Sequence, residues 1–196
     1  MTVSPVEVER KRELEGSAAE ARTRLAELGY RETASFTEVD SYYSRPDVDF
    51  LETVECLRVR HRDGFAEVTY KPASTADTHS RDGVIAKRET NVLLQDTDQA
   101  EHANLLLRSL GMVFLARVEK SRTSYRHPEH DDITLVLDEV AGAGVFLETE
   151  IISHDTDAAA AQLRRVEDQL GLSAYPVVSL PYRDLVLQRG AMANHH

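Results

Sequence analysis

Hydrophobic and polar positions alternate with period two through much of this chain, and at residues 5–14 the alternation is inverted. Val6 and Val8 fall on one parity there, and Glu7, Glu9 and Lys11 on the other. Successive strand side chains point to opposite faces, so two carboxylates and an ammonium share one row. The same period predicts further strands over 32–43, 54–62, 65–72, 84–94, 112–126, 133–140 and 145–153. Asp63-Gly64 joins two of them as a hairpin turn. A helical period replaces it in three places. Over 18–28, Ala18, Ala21, Leu25 and Leu28 recur ahead of Gly29. Over 98–110, an Asp98-to-Glu101 capping-box pattern opens a leucine-rich stretch that Gly111 closes. Over 155–170, Asp155 and Asp157 sit where the helix dipole favours acids. Residues 73–83 are small, polar and aperiodic and read as a mobile loop. His127-Pro128-Glu129-His130-Asp131-Asp132 reads as a turn rather than a metal cluster. The chain is expected to form one domain over 1–187, closing on Leu180 to Leu187, with 188–196 a disordered tail because it carries no core-forming pattern.

Eight strands and three helices without βα alternation predict an α+β fold with an antiparallel sheet, and eight strands can close into a barrel. The charged parity of the first strand returns on later ones, in Arg58 with Arg60, Glu67 with Lys71, Lys120 with Arg122 and Arg126, Asp138, and Glu148 with Glu150. One such row is an ordinary wet sheet face, and outward rows could be cross-strand ion pairs on a structural barrel. Repetition on strand after strand favours inward rows, whose near-cancelling signs make a charged lumen tolerable with water and ligand present. In 84–94, parity sets Arg88 against Lys87 and Glu89, leaving open which cation faces in.

At 196 residues the chain suits a single core. Its net charge of −11 argues against a protein that coats nucleic acid. No apolar run approaches the ~20 residues of a membrane span, so a soluble cytoplasmic protein is expected, with neither nucleic acid nor membrane as partner. Cys56 is the only cysteine, which excludes an internal disulfide and a multi-cysteine zinc site. An acidic chain with its bases concentrated on one face suits a small polyanion bound in a cavity. Arg offers phosphate a fork and Lys a point charge, while clustered carboxylates suit Mg²⁺ or Mn²⁺.

The Glu7-x-Glu9-x-Lys11 opening resembles the ExExK signature of the CYTH superfamily, the triphosphate tunnel metalloenzymes that include class IV adenylyl cyclases and thiamine triphosphatases. Behind it follow Asp40-Ser41-Tyr42-Tyr43, Leu57-Arg58-Val59-Arg60, Val68-Thr69-Tyr70-Lys71, Arg88-Glu89, Val118-Glu119-Lys120-Ser121-Arg122, Leu137-Asp138, Phe146-Leu147-Glu148-Thr149-Glu150 and Tyr182-Arg183-Asp184-Leu185, a series covering nearly the whole chain. The resemblance implies a closed antiparallel eight-stranded β-barrel with flanking helices. It implies that Lys11, Arg58, Arg60, Lys71, Arg88, Lys120 and Arg122 bind phosphates, and so favours Arg88 as the inward cation. Glu7, Glu9, Asp138, Glu148 and Glu150 would hold Mg²⁺ or Mn²⁺ or orient a nucleophile, with Lys11, Lys71, Lys120 and Asp138 as the catalytic set. The expected function is class IV adenylyl cyclase-like, ATP giving cyclic AMP and pyrophosphate. The alternatives are a triphosphatase acting on inorganic tripolyphosphate, thiamine triphosphate or a nucleoside triphosphate, and a non-catalytic polyphosphate-binding or nucleotide-binding module. The helices' apolar faces would cover the barrel or a second copy in a homodimer.

Overall fold

The computed structural model describes residues 6–74 and 83–193. Its elements in chain order are β1 (Val6–Glu13), α1 (Ala18–Glu27), β2 (Arg31–Ser44), β3 (Cys56–Arg62), β4 (Phe65–Lys71), β5 (Ile85–Lys87), β6 (Thr90–Leu93), α2 (Gln99–Ser109), β7 (Val113–His127), β8 (His130–Val140), β9 (Gly144–Ser153), α3 (Thr156–Gln169) and α4 (Tyr182–Ala193). The loop expected over 73–83 lies largely outside the described residues, as do the last three residues of the expected tail.

All the strands join one antiparallel sheet in the order β5-β1-β9-β8-β7-β2-β3-β4-β6. The two ends of that order are neighbours in the chain, separated only by Arg88 and Glu89. The sheet therefore curls until its edges are no farther apart than two linking residues can span, roughly 10 Å. The Lys71 ammonium of β4 donates to the Glu7 carboxylate of β1 at 3.0 Å across the interior, which requires the same curl. This corrects the expectation of eight strands closed into a barrel. The sheet has nine strands and is strongly curled, and no ladder joins β5 to β6 among the described residues. The segment 84–94 is not one strand because it pairs with β1 on one side of residues 88–89 and with β4 on the other.

Apolar packing lies outside the curl and at one of its ends. Val8, Ile133, Leu135, Leu137, Leu147 and Ile151 turn outward against Leu25 of α1 and Leu163 and Val166 of α3. Tyr43, Val59 and Ala66 do the same against Ala100 of α2. Along the inward rows, charge gives way to Tyr42, Val118, Val140 and Phe146, and Tyr182 and Leu185 of α4 pack on them. Helix starts follow local chemistry, with one correction. Ser17 and Glu20 form a reciprocal capping box at α1, and Asp155 accepts from the Ala158 amide at α3. At α2, Asp98 is already helical and its side chain makes no cap bond; Asp96 accepts from the Gln99 amide at 3.0 Å instead.

Helix α4 occupies residues for which the pattern predicts no helix, and carries order to Ala193 where a disordered tail is expected from 188. Polar anchors hold it. Arg183 is wholly buried and donates to the carbonyls of Phe50 (2.9 Å) and Glu55 (2.8 Å). Arg189 donates to both oxygens of Glu13 at 2.8 and 2.9 Å and to the Ala143 carbonyl. No helix among the described residues is long and apolar enough to cross a membrane.

Candidate functional site

The curl encloses a cavity of about 210 Å³. Its wall carries the acids Glu7, Glu9, Glu67, Glu89, Glu148 and Glu150 and the bases Lys11, Arg58, Arg60, Lys71, Lys87, Lys120 and Arg122, with Tyr42, Val54, Cys56, Ile85, Ser179, Pro181 and Tyr182 completing it. Register explains the assembly. Antiparallel pairing sets Glu9 beside Glu150 and Lys11 beside Glu148 on the β1–β9 ladder, and Arg60 beside Glu67 on β3–β4. Because side chains alternate, each ladder sends its whole charged row to the same side.

Arg58, Arg60, Lys120 and Arg122 are held from behind by acids. Asp40, fully buried on β2, accepts from Arg60 Nε at 2.7 Å and Nη2 at 2.8 Å and from Lys120 Nζ at 3.2 Å, and it lies 4.0 Å from Arg58. Glu38, one inward position along the strand, is ion-paired to Lys120 at 3.0 Å and Arg60 at 3.3 Å. Burial pushes the Asp40 carboxyl up, yet Lys120 and Arg60 outweigh it and hold the group well below the usual carboxylate range. Burial also lowers Lys120 and Lys11 from the ordinary ammonium range. Asp138 receives Arg122 bidentately at 2.8 and 2.5 Å, and the same guanidinium reaches Glu148 at 2.7 Å. Fixed in this way, the guanidinium and ammonium groups present donors to the cavity without rearranging, which suits an anion with several oxygens.

A carboxylate oxygen from each of Glu7, Glu9 and Glu150 lies within 4.8 Å of the other two. Burial pushes Glu7 up to about 7, with Lys71 opposing and Glu9 adding to the rise. Burial likewise raises Glu150 well above the carboxylate range, against the pull of Arg122 and with Glu7, Glu148 and Glu9 adding to it. Three carboxyl groups crowded at this distance supply hard oxygen donors, and a divalent cation among them would offset the burial and like-charge crowding that resist their ionisation. The donor set of Glu7, Glu9 and Glu150 therefore fits a hard divalent cation.

Most of the residues singled out from sequence meet at this cavity. Three of the five expected metal ligands converge. Glu148 lines the wall but is engaged by Arg122, and Asp138 sits behind Arg122, 0% exposed, so neither joins the three-carboxylate cluster. Arg88 is a correction. Its side chain is exposed and outside the wall, whereas Lys87 is buried and lines it. The reason is register: Lys87 sits beside the inward Glu7 on the β1–β5 ladder and so faces the same way. Arg126 lies at the exposed end of β7 and does not reach the cavity. Tyr42 lines the wall, while Tyr43 packs outside, its hydroxyl donating to Asn104 of α2 at 2.8 Å. Sequence reasoning gave no role to Glu38 and Asp40, although their i, i+2 spacing repeats the Glu7-x-Glu9 signal on another strand. It also quoted Arg183 within a motif without giving it a role, since its contacts run to a loop more than a hundred residues away.

A family model described as the CYTH domain matches residues 6–177. A protein of Methanocaldococcus jannaschii named "Putative adenylate cyclase MJ0240" is 28% identical over 165 residues, 83% of this chain and 88% of its own. Among solved structures, the PH1012 protein of Pyrococcus horikoshii superposes with a TM-score of 0.76 at 25% identity, over 92% of this chain and 99% of that one. A Hippeastrum protein named "Putative adenylyl cyclase HpAC1" and described as revealing a dominant triphosphatase activity shares the fold, with a TM-score of 0.62 at 17% identity over 89% of this chain and 90% of that one.

Proposed function

This chain belongs to the CYTH-domain family, and from that premise we propose that it is a metal-dependent enzyme acting on a triphosphate held in the charged interior of its curled sheet, which functions as a tunnel. The observation that carries the reading is the division of labour on the cavity wall: preset cations on β3, β4 and β7 face a three-carboxylate cluster on β1 and β9. Phosphoryl transfer calls for little covalent chemistry from the protein and much positioning and charge neutralisation. Arg58, Arg60, Lys120 and Arg122 bind the phosphate oxygens, and Asp40, Glu38 and Asp138 keep those cations oriented. When bound, the divalent ion supplies Lewis-acid neutralisation of charge developing on the phosphate oxygens. Lys11 and Lys71 flank the carboxylates and orient the reacting phosphoryl group.

The finer reading is class IV adenylyl cyclase-like chemistry, supported by the name of the Methanocaldococcus relative. In that reaction the ribose 3′-oxygen attacks the α-phosphorus and pyrophosphate leaves. Hydrolysis has an observation of its own. The cavity volume, about 210 Å³, falls below the roughly 300–1,000 Å³ of pockets that bury drug-sized ligands, so it suits a phosphate chain better than a chain with base and ribose attached. The test presents ATP, thiamine triphosphate and inorganic tripolyphosphate separately with Mg²⁺ or Mn²⁺ and resolves the products by chromatography. Cyclic AMP with pyrophosphate establishes attack on the α-phosphorus. Orthophosphate without cyclic nucleotide under either metal replaces the cyclase reading with the hydrolase. No turnover of any substrate, with tripolyphosphate still bound, would leave the non-catalytic module.

A further inference from the structure

Five of the seven cations on the cavity wall have a carboxylate within 4.0 Å, in the pairs Arg58–Asp40, Arg60–Asp40, Lys71–Glu7, Lys120–Glu38 and Arg122–Asp138. Lys11 and Lys87 differ. Their ammonium groups rest on backbone carbonyls, Lys11 on Leu180 at 2.7 Å and Lys87 on Val54 at 2.8 Å, and neither forms an ion pair with a carboxylate among the described residues. A carbonyl satisfies one of the three ammonium donors and brings no opposite charge. A buried ammonium left in that state retains most of its desolvation cost, which an incoming anion would recover. Lys87 is 8% exposed and faces Glu7 across the β1–β5 ladder, so the interior is the place from which such an anion can reach it.

The two carbonyls belong to one assembly. Arg183 ties the loop carrying Val54 to the start of α4 by donating to Phe50 and Glu55, while Leu180 lies three residues before Arg183. Val54 itself adopts φ of 54°, a left-handed conformation unfavourable for a β-branched residue. The loop is thus held against local preference with its carbonyl aimed at Lys87.

Resting on the tunnel reading above, we propose that Lys87 is a further phosphate-binding residue, whose ammonium leaves the Val54 carbonyl for a phosphate oxygen when the polyanion enters. Lys87 and Lys11 then supply the two ammonium groups of the wall that form no ion pair with a carboxylate among the described residues of the ligand-free cavity. Arg88, one residue on, takes no part.

Calorimetric titration with inorganic tripolyphosphate and Mg²⁺ tests this on the full chain and its Lys87→Met, Lys11→Met and Arg88→Met variants. Lys87→Met is expected to weaken binding about tenfold or more, the factor a charge-assisted hydrogen bond carries, with Arg88→Met within about twofold of the parent. Lys87→Arg keeps the charge and recovers most of the affinity. If Lys11→Met loses affinity and Lys87→Met does not, the inference fails and the tunnel reading stands. If the parent protein does not bind tripolyphosphate, the tunnel reading fails and takes the inference with it. Should Lys87→Met not fold, Lys87→Gln replaces it under the same criteria.

Discussion

Glu7, Glu9 and Glu150 are where the residue chemistry is most exposed to test. Replacing either Glu9 or Glu150 by Gln removes one hard-ion ligand and also relieves like-charge crowding. Metal-dependent turnover should disappear while the melting temperature holds or rises; loss of activity together with unfolding would assign these carboxylates a structural role. Glu7 adds a pH signature. Its folded value of about 7 lies above its ordinary value of 4.5, so the native state takes up a proton more readily than the unfolded chain between those limits. Stability at this group is then gained as pH falls through 7 and lost as it rises. Lowering the pH from 8 to 6 should raise the melting temperature of the metal-free protein, by roughly 2–4 °C for each kcal/mol in a chain of this size, and Glu7→Gln should flatten that part of the profile. An unchanged pH profile in the variant would remove Glu7 as its source. Asp40 carries the opposite dependence on integrity. Asp40→Asn leaves Arg60, Lys120 and Arg58 without their buried anion and should cost about 3–5 kcal/mol in a urea melt; a cost below 1 kcal/mol would mean that Glu38 or water takes over the role.

Between residue and whole lies the pairing of elements. Strand β1 alternates between two kinds of charge: Glu7, Glu9 and Lys11 turn inward, while Arg10 and Arg12 turn outward and are clamped by Glu167 of α3 at 2.7 and 2.8 Å. Arg12 also donates to the Tyr175 carbonyl at 2.6 Å. That clamp fixes which face of β1 looks into the cavity, since a slip of one residue would exchange the two rows. Glu167→Ala leaves two buried guanidinium groups around no anion and should destabilise by about 3–5 kcal/mol, measured by chemical denaturation; a near-neutral result would show that the clamp is dispensable. Most elements were legible from pattern, because period-two alternation marks the strands and α1, α2 and α3 each end at Leu-Gly. Two were not. Nothing local to 84–94 signals a strand that changes sheet edge at its middle. Helix α4 owes its order to Arg183 and Arg189, whose partners lie in distant segments.

For the molecule as a whole, a net charge of −11 coexists with a cavity whose wall carries seven cations. An anion bound there stabilises only the folded chain, because unfolding scatters those cations along the sequence. Tripolyphosphate with Mg²⁺ should therefore raise the melting temperature progressively with concentration, by an amount following RT ln(1 + [L]/Kd), about 2.7 kcal/mol at a hundredfold excess over Kd. A melting curve indifferent to tripolyphosphate across a wide concentration range would count heavily against the tunnel.

The sequence by itself determined the antiparallel α+β class, the parity of the charged rows and, through ExExK and the motifs behind it, the family. These are local properties: period-two alternation decides which side chains share a face, whatever the strands later pair with. It also put Glu7 with Glu9 and Glu148 with Glu150 on shared rows, and the repetition of such rows favoured turning them inward. What only the tertiary structure decided is which charges neutralise which. That Glu148 and Asp138 serve Arg122, that Asp40 and Glu38 hold five cations between them, that Lys71 of β4 reaches Glu7 of β1, and that Lys87 rather than Arg88 faces the cavity all depend on how the strands pair and curl. Distances across a curled sheet follow from strand order and register, which parity within one strand does not encode.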